Sequence, residues 1–302
     1  MTKLIQAFTD NRINDIRYIN RHFEEVNAQL KPGDLFVGYF ETFSARRARM
    51  SINKVFFLRT IYFGFEFLFK RVLPKIKYLN YFYFRLTKGK NRLLSKAEVL
   101  GRLVCCGFEI NEVESINGLV YFCVFKKQVP EFIKNKNYGL FFKMKRVGKG
   151  GKPFYVYKIR TMHPFSEFLQ EYMMIKHGFS DKGKLNNDFR LTPWGKTIRR
   201  YWIDELPQVY NMMKGQMKLV GVRPVSIKYY EMVPDALKNR RNKYKPGCIP
   251  PYLALNAKPD VDSVLSSEQT YLDAKDKNPR TTDLKYFFYA IYNIVFKSLR
   301  SK

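Results

Sequence analysis

The chain has 302 residues, enough for one or two domains. Its 55 Lys and Arg stand against 26 Asp and Glu, a formal charge of +29, beside 46% hydrophobic and 17% aromatic residues. The aromatic content excludes wholesale disorder, and the charge calls for an anionic partner: nucleic acid, anionic lipid or a phosphorylated substrate. Cys105, Cys106, Cys123 and Cys248 have neither zinc-ligand spacing nor the density of a disulfide scaffold, so they read as reduced thiols. The polar start MTKLIQAFTDNR has no apolar h-region, and no secretory signal is expected.

Residues 12–30 read as a helix from the spacing of Ile13, Ile16, Ile19 and Phe23, ended by Lys31-Pro32-Gly33. LFVGYFE (35–41) reads as a strand. Ser95 and Glu98 form a capping-box pattern for a helix over 95–108, closed by Gly107. Strands around 109–113 and 119–126 follow, joined at Asn117-Gly118. This order resembles part of a methyltransferase-like α/β fold, but the glycine-rich cofactor loop is missing and no methyl transfer is expected.

Between these elements lies KVFFLRTIYFGFEFLFKRVLP (54–74), in which charges interrupt an otherwise apolar run. On a helix, Arg59, Glu66 and Lys70 fall within about 40° of one another, and Phe57, Ile61, Phe65, Leu68 and Val72 fall opposite. A narrow charged stripe and a wide Phe-rich face suit a membrane interface. Residues 70–92 add Lys70, Arg71, Lys75, Lys77, Arg85, Lys88, Lys90 and Arg92 with interleaved Tyr and Phe and no acid. Each basic side chain near an anionic leaflet contributes about 1 kcal/mol. The competing readings are a buried amphipathic helix followed by a solvated basic loop, and a stacking platform for nucleic acid. The helix from about Asp283 to Phe296 is apolar nearly all round and ends in Lys297, Arg300 and Lys302; it either packs into a core or lies on a membrane.

Chemistry concentrates in 139–224. Two β-rich runs flank Gly148-Lys149-Gly150-Gly151 and predict a hairpin whose turn uses glycine's positive φ. A helix-like stretch, Phe165–Gly178, and a polar loop, Ser180–Asn187, follow. Asp204-Glu205-Leu206-Pro207 has the pattern of a helix start, with Asp204 as N-cap and the helix running through Met213 to a stop near Gly215. A helix N-terminus attracts phosphate. Arg190, Arg199, Arg200 and Arg223 lie nearby in sequence, and guanidinium groups bind phosphate oxygens in pairs. Two acids among arginines suit phosphoryl transfer: one carboxylate attacks phosphorus or holds Mg²⁺, while arginines neutralise developing charge. Mg²⁺ needs only oxygen ligands, in keeping with three His in the whole chain. An ordinary capped helix with surface ion pairs is the plain alternative.

The string RVG-x-x-G-x-PF-x-x-YK-x-RTM, then D-x-R-x-T-x-x-G-x-x-x-R, then DELPQ-x-x-N-x-x-x-G-x-M-x-x-VG-x-RP resembles the bacterial sugar transferases, the monotopic polyprenyl-phosphate phosphoglycosyl transferases. The resemblance is strong over about 140–224, looser to near 296, and leaves 1–137 outside. It implies an α+β fold: a mostly helical phosphoglycosyl transferase core over 138–302 with a β-hairpin and membrane-associated helices, preceded by a small α/β N-terminal region over 1–137. It implies transfer of a sugar-1-phosphate from a UDP-sugar to undecaprenyl phosphate on the cytoplasmic face of a bacterial inner membrane, initiating a surface-polysaccharide repeat unit. By that resemblance Asp204 attacks the β-phosphate, releases UMP and carries the phosphosugar; Glu205, with Asp204, holds Mg²⁺. Arg199, Arg200, Arg223, Pro224, Lys158, Arg160, Asp188, Arg190 and Gln208 are the candidate substrate-binding residues. Anionic lipids are expected partners, nucleic acid is not, and a homo-oligomer is left open.

The sequence departs from the family pattern at Val222, where Gly-Pro-Arg-Pro is usual, and at Cys248-Ile249-Pro250-Pro251, where Thr-Gly-Trp is common after KPG. The 54–74 helix is also separated from the hairpin by roughly 65 residues, long for one domain. Whether that helix dips into a membrane and returns at Pro74 or lies flat is open. An inactive membrane scaffold with the transferase fold and a basic nucleic-acid-binding protein are the rival readings.

Overall fold

The computed structural model describes residues 5–50, 56–76, 78–130, 139–177, 188–258 and 260–296. The chain folds as two compact units: Met1–Tyr138 with Met162–Gly178 and Leu185–Arg190, and Gly139–Thr161 with Phe179–Lys184 and Leu191–Lys302. The expected loop Ser180–Asn187 and the basic tail from Lys297 lie outside the described residues.

The first unit is built on strands β1 (Ile5–Phe8), β2 (Leu35–Glu41), β3 (Phe108–Ile116) and β4 (Leu119–Lys126), in the order β1-β2-β4-β3. β1 runs parallel to β2, and the other pairings are antiparallel. Its helices are α1 (Ile19–Gln29), α2 (Phe43–Arg49), α3 (Phe56–Phe67), α4 (Leu79–Thr87), α5 (Lys96–Cys105) and α6 (Gln170–His177). The core gathers Phe23, Phe36, Phe40, Leu100, Phe108 and Phe122. Gly38 pairs with Phe122 across β2 and β4, and a Cβ there would lie 2.5 Å from the Phe122 ring, so only glycine fits. The strand expected at 35–41 is present. So are the hairpin turning at Asn117 (φ 51) and Gly118 (φ 79) and the helix capped by Ser95, whose Oγ accepts the Glu98 N–H at 3.2 Å.

The helix expected over 12–30 is shorter. Ile13–Asp15 form a single 3₁₀ turn, Ile16 is extended, and α1 begins at Ile19. Buried Asn14 explains the break: its amide donates to Glu41 O and Arg92 O, and its carbonyl accepts from Glu41 N. These bonds tie the turn to the end of β2.

Helix α3 buries both an apolar side chain, Phe63, and a charged one. Glu66, only 3% exposed, is held by Arg46 and Lys70, both at 2.9 Å. Leu58, Ile61, Phe65 and Leu68 are exposed. The chain then widens into a π turn over Leu68–Val72, tightens at Leu73–Lys75 around Pro74, and passes into α4. Phe69 packs edge-on against buried Tyr83 of α4, leaving Tyr81, Phe82 and Leu86 outside. The stretch 70–92 is thus largely helical and not an irregular basic loop. Two of its arginines face inward: Arg71 binds Glu98 at 3.0 Å and Leu93 O at 2.7 Å, and Arg92 donates to Ile16 O.

The second unit begins with the hairpin β5 (Phe141–Val147) and β6 (Pro153–Ile159). Of its turn glycines, Gly150 and Gly151 have positive φ, at 67° and 71°, while Gly148 is extended. It continues through α7 (Pro193–Arg200), α8 (Gln208–Met213), β7 (Lys218–Val220), α9 (Ile227–Met232), α10 (Asp235–Lys243), β8 (Gly247–Ile249), α11 (Pro251–Ala254), α12 (Val261–Lys277) and α13 (Thr282–Phe296). β7 and β8 pair in parallel, and a Cβ on Gly247 of β8 would collide with the Gly221 backbone. Val220, Val222, Tyr271, Leu272, Tyr286 and Ala290 form the core. Helix α13 does both things its composition allows: Tyr286, Ala290 and Asn293 pack inward, and Leu284, Phe288, Tyr292 and Val295 stay exposed. Among the described residues no helix is long and apolar enough to cross a membrane. The fold is α+β and mostly helical, with a small sheet and a hairpin.

Breaking one side of a buried charge group leaves uncompensated charge, whereas exposed pairs contribute little. Glu66→Gln is expected to lower the unfolding free energy by about 3 kcal/mol. Glu25→Gln, in an exposed pair with Arg21, should change it by less than about 0.5 kcal/mol. Urea unfolding of the purified chain measures both.

Candidate active site

The segment leading to the adjacent acids is fixed from both sides. Thr192 caps α7 by accepting the Gly195 N–H at 2.9 Å, and its hydroxyl donates to Thr161 O at 2.9 Å. A Cβ on Gly195 would collide with that same Thr161 carbonyl. Arg199, from the last turn of α7, donates through Nε to Thr161 Oγ1 at 2.8 Å. Trp202 then adopts a left-handed conformation (φ 57), unusual for a bulky residue, and reverses the chain. Ile203–Glu205 form one 3₁₀ turn, and α8 begins only at Gln208.

Asp204 is therefore not the N-cap of a long helix. No side-chain cap is present at either start, and α8 has six residues. The cations that act on the two acids are the side chains of Lys158, Arg199 and Arg223.

Three donors converge on Glu205. Lys158 Nζ of β6 reaches Oε1 at 2.6 Å, Arg223 Nη2 reaches the same oxygen at 3.4 Å, and Gln208 Nε2 donates to Oε2 at 3.1 Å. Asp204 is buried, 7% exposed, and its Oδ1 has no hydrogen-bond partner. The two neighbours consequently titrate apart. Burial pushes the Asp204 carboxyl above the ordinary carboxylate range, and Glu205 adds to this against the opposing pull of Lys158 and Arg199. Burial acts the same way on Glu205, but Lys158 and Arg223 overcome it and hold that carboxyl below its usual value.

Glu205, Lys158, Gln208, Arg223 and Pro224 line a cavity of about 440 Å³. Its wall also includes Arg146, Tyr229, Cys248, Tyr252 and Glu268. Arg223 Nη1 donates to Tyr252 Oη at 2.9 Å. Burial, aided by Glu205, pushes the Cys248 thiol up to about 11, so at neutral pH it is protonated and a poor nucleophile. Asp204 lies beside Glu205 but is not on this wall.

Of the candidate residues, Lys158, Glu205, Gln208, Arg223 and Pro224 meet at the cavity, and Arg199 acts on Asp204. Arg160 donates to Gly139 O at 3.2 Å and stacks on Phe142, and Arg200 is exposed on α7; neither lines the cavity. Asp188 and Arg190 belong to the first unit, where they pair with each other and Arg190 Nη1 donates to Gln170 Oε1 at 2.7 Å. Tyr252 and Glu268 carried no local signal, because they come from elements far along the chain, while Cys248 stood out only as a departure from the family pattern. Arg146 stood inside the hairpin motif but looked like any strand arginine.

Residues 112–297 match the family described as bacterial sugar transferase. The chain belongs to the bacterial sugar transferase family. The match begins within β3, earlier than the hairpin at which strong resemblance starts. Among similar proteins, the galactosyl transferase CpsE of Streptococcus agalactiae serotype III is 38% identical over 120 residues, 39% of this chain and 26% of that protein. An uncharacterized sugar transferase of Bacillus subtilis, EpsL, is 39% identical over 108 residues, 36% of this chain and 47% of its own length. The UDP-glucose:undecaprenyl-phosphate glucose-1-phosphate transferase of Xanthomonas campestris pv. campestris is 33% identical over 110 residues, 36% of this chain and 21% of that protein. The chain spans less than half the length of these curated relatives.

Several family-motif positions prove structural. Buried Asn211 of α8 donates to Tyr155 O at 2.7 Å and accepts from Tyr157 N at 3.2 Å, docking the helix on the hairpin. Met217 and Val220 are buried.

Among the described residues no group of three or more His, Cys, Asp or Glu forms a metal cage. The acids nevertheless suit Mg²⁺. It takes one or two protein carboxylates and fills its remaining positions with phosphate oxygens and water, and Asp204 Oδ1 is an orphaned oxygen beside Glu205.

Because the folded-state pKa of Asp204 is raised, its contribution to stability is fully present below the ordinary carboxylate pKa and is lost as pH rises through the folded value. Glu205 has the opposite sign: its contribution is present above the ordinary value and is lost as pH falls through the depressed folded value. Asp204→Asn should therefore stabilise the protein at pH 7, on the order of 1 kcal/mol, and Glu205→Gln should destabilise it. Both differences should shrink as the buffer is brought to pH 4. Denaturant unfolding at the two pH values checks the signs.

Proposed function

We propose that this chain transfers a sugar-1-phosphate from a UDP-sugar to undecaprenyl phosphate through a covalent intermediate on Asp204. Membership of the family and the names of relatives that act on undecaprenyl phosphate support the substrate class. The observation that carries the reading is the division of labour between the acids: Glu205 is neutralised by three donors, and Asp204 keeps a buried, unpartnered oxygen. A carboxylate held above its ordinary pKa is more basic, and so more nucleophilic in its ionised form.

In the proposed first step the Asp204 carboxylate turns toward the cavity and an oxygen attacks the β-phosphorus. The β-phosphorus–oxygen bond to the α-phosphate breaks, and UMP leaves with the electron pair. In the second step an oxygen of undecaprenyl phosphate attacks the same phosphorus and expels the Asp204 carboxylate, giving the lipid diphosphosugar. Arg223 and Lys158 offset the charge that develops on the phosphate oxygens. Tyr252 and Gln208 orient Arg223 and Glu205. Bound by Glu205 and Asp204, Mg²⁺ would supply charge neutralisation on the diphosphate.

The reading places the enzyme on the cytoplasmic face of a bacterial inner membrane, with residues 138–302 as the transferase domain. The exposed apolar faces of α3, α4 and α13 support contact with lipid, since contiguous apolar surface of this kind marks an interaction face. Initiation of a surface-polysaccharide repeat unit is the accompanying role.

UMP release across a panel of UDP-sugars, with undecaprenyl phosphate in detergent, tests this directly. The wild type is expected to release UMP with at least one sugar, and Asp204→Asn to lose more than about 10³-fold of that rate. Glu205→Gln should shift the Mg²⁺ dependence to higher concentration. Full turnover in Asp204→Asn would sink the covalent mechanism.

A further inference from the structure

Arg223 reaches across the cavity edge; its side chain is 44% exposed and its guanidinium bonds Tyr252 and Glu205. A long, solvent-facing side chain needs a fixed backbone if its fork is to meet a phosphate reproducibly. The neighbouring backbone is anchored on both sides: Gly247 N–H donates to Val222 O at 2.9 Å, and Val147 N–H donates to Val225 O at 3.0 Å. Arg223 itself lies between these anchors, before Pro224, which has no N–H to offer.

A buried ion pair fills that gap. Arg241 of α10 and Glu268 of α12 are 5% and 1% exposed and bind each other directly. Arg241 Nη2 also donates to Arg223 O at 2.8 Å, so the guanidinium that Glu268 holds reaches the Arg223 backbone. The carbonyl of Arg223 is thus taken by the cationic half of a salt bridge whose anionic half fixes that cation. Glu268 also forms part of the cavity wall.

We propose that Arg241 and Glu268 are positioning residues for the transfer reaction: Arg241, held by Glu268, clamps the Arg223 carbonyl and aims the Arg223 guanidinium at the diphosphate. The proposal rests on the function stated above. The clamp explains why a buried pair sits 18 and 45 residues along the chain from the arginine it holds. It also separates two roles on one residue: the backbone of Arg223 is held from behind, and the side chain is left to bind substrate.

The test uses the full chain in detergent with an active UDP-sugar and undecaprenyl phosphate. Arg241→Met with Glu268→Leu removes both charges and keeps apolar volume, a replacement that buried pairs tolerate. The expected result is a loss in kcat on the order of 10²-fold with KM for the UDP-sugar changed less than about threefold. In an Arg223→Ala background the same pair of substitutions should change kcat by less than about twofold, because the residue they act through is gone. If the double variant does not fold, Arg241→Lys carries the same comparison, since lysine keeps the charge but cannot fork between Glu268 and Arg223. Equal losses with and without the Arg223 side chain, or native kcat in a folded variant, would overturn the clamp. Absence of UMP release by the wild type would overturn the function and the clamp with it.

Discussion

Lys158 approaches Glu205 from a hairpin strand, Arg223 from the loop after a short parallel strand, and Gln208 from the helix that begins three residues on. Their convergence makes two chemically similar neighbours unlike. A carboxylate with two cations and an amide is held in its charged form, and the one beside it, buried without a partner on Oδ1, is pushed toward its neutral form. The left-handed Trp202 and the single 3₁₀ turn after it keep both acids out of regular helix, where a cap would have satisfied Asp204. The surrounding contacts read as means to hold this asymmetry: Asn211 docks α8 on the hairpin that carries Lys158, and Thr161 fixes Arg199. Unsatisfied buried charge is costly, and its persistence next to a well-paired acid is the pattern expected where stability is given up for reactivity.

The large positive charge resolves into separate uses. Arg46, Lys70, Arg71 and Arg102 compensate the buried acids Glu66 and Glu98 inside the first unit. Lys158, Arg146 and Arg223 face the cavity. On α3 the inward face carries Glu66 beside buried Phe63, and Ile61 and Phe65 point outward. The cations of 70–92 therefore divide between internal pairing, as for Arg71 and Arg92, and the outer surface, where Arg85, Lys88 and Lys90 are exposed.

Much of this was legible in the residue order where the signal is local. Gly150 and Gly151 mark the hairpin turn, Asn117-Gly118 the earlier one, and Ser95 a helix start, because each solves its backbone problem within a few residues. The same locality misled at Asp204, since Asp-Glu-Leu-Pro carries every helix-start cue and the deciding feature is the strained Trp202 before it. It misled at 12–18 as well, where a buried Asn14 bonding to residues far along the chain overrides helical spacing. The site was half legible. The motif named Lys158, Glu205, Gln208 and Arg223, which meet at the cavity, and also Asp188 and Arg190, which pair with each other in the first unit. Tyr252, Arg241 and Glu268 are ordinary residues until the fold brings them to Arg223.

The central claim is that Asp204 carries the phosphosugar. Intact-protein mass spectrometry of the chain mixed with an active UDP-sugar and Mg²⁺, with no lipid acceptor, tests it most directly. The account predicts a mass increase of one sugar-phosphate, mapped to the peptide containing Asp204, absent from Asp204→Asn and removed on adding undecaprenyl phosphate. A protein that stays at its native mass under these conditions and yet forms lipid-linked product when both substrates are present would contradict it.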